Sequence, residues 1–253
     1  MANQLPGFEI GTINDITVVA GVVAKITREP LPTGDTAEAL AAQLERYHTL
    51  VAAGPLAVAD LVSVNVLQRA DGYHVQHSVE LVEGRALSQL PEDERCVALG
   101  ALVHTVEDMP ASPHGDRTLL TPLDAKPRNF HMRGEKPVLI DVCPPFTWGD
   151  DGFVTTAIVP NMAPAWRAQT TGTVGYRSGV LSELLMGAMP DIAPGESPLA
   201  HARRVIATAP DWYEPFVPAN MPQSSRDDLT ARIGLGLSLR LIRAQRAGNT
   251  SRP

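Results

Sequence analysis

The chain has 253 residues, 44% of them hydrophobic, with a formal net charge of −7. That length suffices for one large domain or two lobes with a proper core, and the acidic balance argues against a nucleic-acid or anionic-membrane partner. No apolar run approaches the roughly 18 residues that span a bilayer. The start, Met1-Ala2-Asn3-Gln4, has no signal-peptide pattern. Two cysteines, Cys96 and Cys143, make neither a disulfide framework nor a zinc site. The expectation is a cytoplasmic protein that binds neither membrane nor nucleic acid.

Three short strands open the chain: Phe8–Ile10, Asp15–Val19 and Val22–Ile26, broken at Gly11-Thr12-Ile13-Asn14 and at Ala20-Gly21. The third carries Lys25, one of only three lysines among 21 basic residues. A helix is expected from Thr36 to Ala53, capped by Asp35 or Thr36 and stopped by Gly54-Pro55. Leu40, Leu44, Tyr47, His48 and Val51 recur on it at helical spacing, and Glu38 and Glu45 share one side. Leu61–Arg69 and Tyr73–Leu81 alternate around Ala70-Asp71-Gly72, which is a hairpin signal. The segment Glu80-Leu81-Val82-Glu83-Gly84 follows, and Gly84 lets the chain leave the sheet. Pro91 to Met109 read as a helix with Cys96, Val97, Leu99, Leu102, Val103 and Val106 in the core and His104 near that face.

Leu123 to Pro145 is the chemically dense stretch: LDAKPRNFHMRGEKPVLIDVCPP. Asp124, Lys126 and Asn129 fall within six residues, a polar turn follows at Arg133-Gly134-Glu135, and the strand Val138–Ile140 delivers Asp141. Phosphoryl transfer needs a carboxylate to orient an attacking hydroxyl, oxygen ligands for Mg²⁺, and positive charge near the γ-phosphate. Asp124 suits the first task, Asn129 and Asp141 the second, Lys126 the third. His114-Gly115-Asp116 lacks both an Asn five residues on and a following strand Asp at the right distance, so it is set aside as a decoy. Residues 149–175 show little periodicity and read as an acceptor-binding or activation region. Helices are expected at Gly179–Met186, Pro198–Thr208 and Asp227–Ala247, the last with Leu229, Ile233, Leu237, Leu241 and Ile242 on its apolar face.

The Asp-x-Lys-Pro-x-Asn spacing, followed by a strand Asp, resembles the catalytic and metal-binding loops of the protein-kinase-like superfamily, which includes the aminoglycoside and choline phosphotransferases. The match departs from the pattern where Pro122 stands in place of the loop His, and Cys143 in place of the Gly after the metal Asp. The resemblance implies an α+β, bilobal fold: an N-lobe of roughly residues 1–82, with a small antiparallel sheet and one helix, and a mainly helical C-lobe over 83–253. It implies ATP and Mg²⁺ as cofactors, with the Gly11 to Asn14 turn over the phosphates and Lys25 on the α- and β-phosphates. Glu45 would pair with Lys25, and backbone groups around Glu80 to Val82 would bond the adenine edge. Asp124 would be the base, Lys126 its neighbour at the transferring group, and Asn129 and Asp141 the metal ligands. The activity implied is phosphorylation of a hydroxyl, leaning to Ser or Thr of a precursor peptide in natural-product biosynthesis, handed on to a partner enzyme, or else a small-molecule hydroxyl. The rivals are a pseudokinase or substrate-presenting subunit and, third, an unrelated α+β binding domain.

Overall fold

Alternating apolar residues and a tight Ala20-Gly21 turn, with φ of 50° and 79°, fold the first described residues into β1 (Asn14–Val19) and β2 (Val22–Thr27). The computed structural model describes residues 14–156, 164–189, 192–207 and 222–250. The expected strand Phe8–Ile10, the Gly11 turn and most of the loop carrying Trp212, Tyr213 and Phe216 lie outside them. Helix α1 (Gly34–Ala52) begins two residues earlier than expected, because Thr33 rather than Asp35 or Thr36 caps it, accepting the Thr36 N–H at 3.1 Å. β3 (Leu61–Arg69) and β4 (Gly72–Glu80) form the anticipated hairpin. The four strands make one antiparallel sheet in the order β1-β2-β4-β3. Ala37, Leu40 and Leu44 of α1 pack with Val75 of β4 over its inner face.

The chain leaves this sheet at Gly84, whose φ is +155°. A Cβ there would stand 2.0 Å from the Met132 carbonyl oxygen, so only glycine lets the segment run this close to the later hairpin. Three acidic residues in the first turn favour α2 (Glu92–Glu107) through the helix dipole. Its buried stripe is Cys96, Ala98, Leu99, Leu102, Val103 and Val106. Val97 and His104, both expected on that face, are exposed, with Val97 77% exposed. Val97 lies about 200° around the helix from Leu99, which turns it to solvent.

Two small hairpins follow: β5 (Ala111–Ser112) with β6 (Gly115–Leu119), then β7 (Phe130–Arg133) with β8 (Lys136–Leu139). A third pairs β9 (Thr147–Trp148) with β10 (Val154–Thr155). The stretch read as aperiodic holds a helix, α3 (Pro164–Thr170), that runs into one π turn over Thr171–Gly175. Then come α4 (Arg177–Ala188), α5 (Pro198–Ala207) and α6 (Gln223–Thr250), the last longer at both ends than its apolar pattern. Ile233 and Leu237 of α6 are buried, whereas Leu241 and Ile242, expected on the same face, are exposed. The main core joins α2, α4, α5 and α6 to Leu123, Phe130, Leu139 and Phe146. The fold is therefore α+β, a small antiparallel sheet with one helix beside a mainly helical part.

One contact seats the Asp124–Asn129 turn on this helical part. Pro127 lies against Gly187 of α4, where a Cβ would come 1.9 Å from Pro127 Cγ. A proline ring cannot swing away, so Gly187→Ala is expected to cost about 1–3 kcal/mol of unfolding free energy, measured by denaturant titration. Gly100→Ala on α2 meets nothing within 4 Å. It is expected to be neutral or to stabilise by up to about 1 kcal/mol, and an equal loss at both positions would show that the Pro127 contact is not tight.

Candidate active site

The Asp124 turn is a short 3₁₀ segment, Pro127–Asn129, closed by the Asn129 N–H on the Lys126 carbonyl at 2.8 Å. Asn129 is buried, and its side-chain amide donates to the Asp124 carbonyl at 3.0 Å. Lys126 Nζ bonds Asp124 Oδ2 at 2.6 Å, with both side chains partly exposed. β7 and β8 then return the chain, so that the Ile140 N–H donates to the Asn129 carbonyl at 2.8 Å. That bond sets Asp141 directly beside the Asn129 turn. Asp124 and Asp141, seventeen positions apart in the sequence, are thus drawn to the same turn.

The sheet supplies the third component. Lys25 projects from β2 and is 5% exposed. Its Nζ donates to Asp141 Oδ1 at 2.8 Å and to the Ile140 carbonyl at 3.0 Å. A buried ammonium is tolerable only when paired and hydrogen-bonded in this way. Asp141 Oδ1 also takes the Cys143 N–H at 3.3 Å.

Glu45 is not part of this arrangement. It is exposed, and among the described residues no carboxylate of α1 pairs with Lys25. The buried stripe of α1 runs through Leu40, Leu44, Tyr47, His48 and Val51, and at 100° per residue Glu45 falls well outside it. Its place toward the sheet is taken by His48, whose ring stands 6.2 Å from that of His77, the residue directly opposite Lys25 in the β2–β4 register. Asn14, expected over the phosphates, is buried at the start of β1 and donates to Cys143 Sγ at 3.5 Å. It braces the segment after Asp141.

The segment expected to meet an adenine edge is partly committed. The Glu80 N–H goes to the Asp60 carbonyl and the Leu81 N–H to the Gly21 carbonyl, while the Glu80 carboxylate binds Arg133 and the Asp60 N–H. Val82 is buried and its carbonyl takes a bond from His131 Nδ1 at 3.4 Å. Its N–H has no partner among the described residues. The set-aside His114-Gly115-Asp116 lies on β6 and the turn before it, with His114 against Trp148 at 5.0 Å.

Sequence reading missed the neutral groups that support the charged ones. Tyr47 spans from α1 to the Pro122 carbonyl with a 2.6 Å hydrogen bond. Burial, then Asp124 and Asp141, raise its pKa well above the phenol range, so it remains a donor. Burial pushes the Cys143 thiol up to about 12, which leaves it unreactive. His77 has no hydrogen-bond partner on either ring nitrogen among the described residues, and burial, then Lys25, lower its pKa to about 3. Tyr47 and Pro122 are 75 positions apart, and no local pattern announces such a bond.

No family model matches the chain, and no curated protein matches it. Among solved structures it is similar to WbdD, at 12% identity and a TM-score of 0.44, over 90% of this chain and 49% of that one. It is also similar to the PAN3 pseudokinase of Drosophila melanogaster, at 11% identity and a TM-score of 0.39, over 94% of this chain and 62% of that one. The chain thus spans about half to three fifths of the length of these two structures. Among the described residues, no helix is long and apolar enough to cross a membrane.

Two outcomes are expected. Glu45→Ala should leave the thermal midpoint and any nucleotide-induced shift unchanged, because Glu45 stands apart from Lys25; a lost nucleotide shift would restore it to the site. His77 must stay neutral when folded, and the unfolded chain binds its proton below pH 6.5, so stability should fall as pH drops from 6.5 toward 3. His77→Leu replaces an unpartnered imidazole with an apolar group. It should hold or raise the midpoint at pH 7 and flatten the decline between pH 6.5 and 5, read by thermal unfolding across pH.

Proposed function

We propose that this chain is a phosphotransferase that moves the γ-phosphoryl group of ATP, with Mg²⁺, to a hydroxyl acceptor. The observation that carries the reading is the convergence of five side chains: the Asp124–Lys126 pair and Asn129 on one side, and the Asp141–Lys25 pair joined to them through the Ile140–Asn129 bond. The donor set suits a hard cation. With its amide nitrogen on the Asp124 carbonyl, Asn129 keeps its side-chain oxygen to offer, and Asp141 keeps Oδ2 beside an Oδ1 held by Lys25. Mg²⁺ held by Asn129 and Asp141 would supply positive charge that offsets the charge developing on the phosphates.

The chain's own residues divide the remaining work. Asp124 orients the acceptor hydroxyl and receives its proton as the new oxygen–phosphorus bond forms and the bond to the nucleotide diphosphate breaks. Lys126, bonded to Asp124 before the acceptor arrives, fixes the carboxylate and presents an ammonium to the transferring group. Lys25 places a second ammonium on the phosphates and, through Asp141, orients the metal ligand. Val82 offers its N–H to the adenine edge. The acceptor we favour is a Ser or Thr hydroxyl in a precursor peptide, which a partner enzyme then processes, with a small-molecule hydroxyl as the other source. Lys126 beside the base supports this lean.

One observation favours a second reading, a pseudokinase or substrate-presenting subunit. No carboxylate of α1 meets Lys25 among the described residues, so the ammonium has Asp141 as its ion-pair partner. ATP turnover by purified protein separates the two. On the first reading Asp124→Asn is expected to lower turnover about 10²–10⁴-fold while leaving the Mg-ATP thermal shift in place. Asp141→Asn is expected to abolish the Mg²⁺-dependent part of that shift. An Asp124→Asn protein with full activity would remove Asp124 from the base role, and Mg-ATP stabilisation without any turnover would establish the pseudokinase.

A further inference from the structure

A cavity of about 710 Å³ opens directly behind the Asp124 turn, and Lys126, Pro127 and Arg128 form part of its wall. α4 and the π turn contribute Ser182, Glu183 and Thr173, α2 contributes Arg95, and α6 contributes Arg232. Its size is that of a site for a small ligand or a few residues of a peptide. Its charge runs against that of the whole chain. The protein carries −7, yet among the described lining residues four are cationic, Arg95, Lys126, Arg128 and Arg232, and one, Glu183, is anionic.

The state of these cations distinguishes a binding wall from a solvated surface. Lys126 is committed to Asp124 at 2.6 Å, and Arg232 to the exposed Asp228 at 2.8 Å. Arg95 differs. Its side chain forms no hydrogen bond or ion pair among the described residues, and its Nε is buried without a partner. A buried guanidinium N–H left unbonded carries a desolvation cost that an incoming acceptor oxygen removes. Arginine's planar fork matches carboxylate and phosphate oxygens in pairs.

We infer that the acceptor of this enzyme carries an anionic group, carboxylate or phosphate, beside its reacting hydroxyl, and that Arg95 receives that group in the cavity behind Lys126. The inference rests on the phosphotransferase reading for the identity of the ligand as acceptor. The cavity takes an acidic peptide or an anionic small molecule by the same chemistry, and it disfavours cationic acceptors such as amino sugars. Arg128 and Arg232 add to the positive field, while the Ser182 and Thr173 hydroxyls, each donating to a backbone carbonyl, keep lone pairs to accept from the rest of the acceptor.

The test uses the full chain and two matched series. One is a Ser-containing peptide with Glu, Ala or Lys on both sides of the Ser. The other is glucose 6-phosphate, glucose and glucosamine. Binding is followed by titration calorimetry without nucleotide, and transfer by ADP release with Mg-ATP. Within whichever series binds, the anionic member is expected to exceed the neutral one by about tenfold or more, with the cationic member weakest. Arg95→Gln should erase that order chiefly through KM, and Arg95→Lys should restore part of it. Reaction of the peptide series alone assigns the source as peptide, and of the sugar series alone as small molecule. Equal binding by all charge states, no binding by any, or a preference that survives Arg95→Gln would overturn the inference. Anion binding that depends on Arg95 but is never followed by phosphoryl transfer would instead overturn the phosphotransferase reading and leave the anion site standing.

Discussion

The ion pair between Lys25 and Asp141 is the constraint on which the rest of the site depends. An ammonium that is 5% exposed needs its donors filled, and the groups within reach lie at the end of β8: the Asp141 carboxylate and the Ile140 carbonyl. Satisfying Lys25 therefore fixes the sheet against the helical part. Other cross-links fall into place around it. The Ala59 N–H bonds the Leu139 carbonyl at 2.9 Å, Tyr47 reaches Pro122, and Arg133 meets Glu80. Each joins the sheet or its helix to the unit that carries Asp124 and Asp141.

The layer beneath that pair is built from groups that stay uncharged. His77, His48, Tyr47 and Cys143 surround Lys25 and Asp141, and burial holds the His77 imidazole, the Tyr47 phenol and the Cys143 thiol in their neutral forms. The charge of the site is thus confined to two pairs, Lys25 with Asp141 and Lys126 with Asp124. A third carboxylate from α1 would have to enter a space already filled by His48 and His77. The chain places an aromatic layer where the resemblance implied an acid. The cavity behind Lys126 shows the opposite design, with Arg95 unpaired among the described residues and facing open space.

The elements whose information is local were legible in the sequence. The β3–β4 hairpin, the tight Ala20-Gly21 turn, α2 and the Asp-x-Lys-Pro-x-Asn turn followed by a strand Asp follow from residue periodicity, glycine placement and proline chemistry within a few positions. Helix ends were less legible. Thr33 won the α1 cap because its hydroxyl reaches the Thr36 N–H, and α6 extends beyond its apolar pattern because cooperative backbone bonding outruns the side-chain signal. Val97 and His104 show the same limit in reverse, since an apolar or ring-bearing residue on a helix takes its side from the neighbours it meets.

The chain's own order of residues settled which groups could do chemistry: Lys25 on a strand, Asp124, Lys126 and Asn129 in one turn, and Asp141 after the next strand. Short spacings bind those identities to a local conformation, so they can be read without a fold. Tertiary packing alone decided which of them meet. It gave Lys25 to Asp141 across 116 positions, turned Glu45 to solvent, spanned Tyr47 to Pro122, and gathered Arg95, Arg128 and Arg232 from separate elements around one cavity. Pairings over such separations depend on how helix faces and strand registers are buried against one another. That is a property of the whole core, which no single stretch of sequence contains.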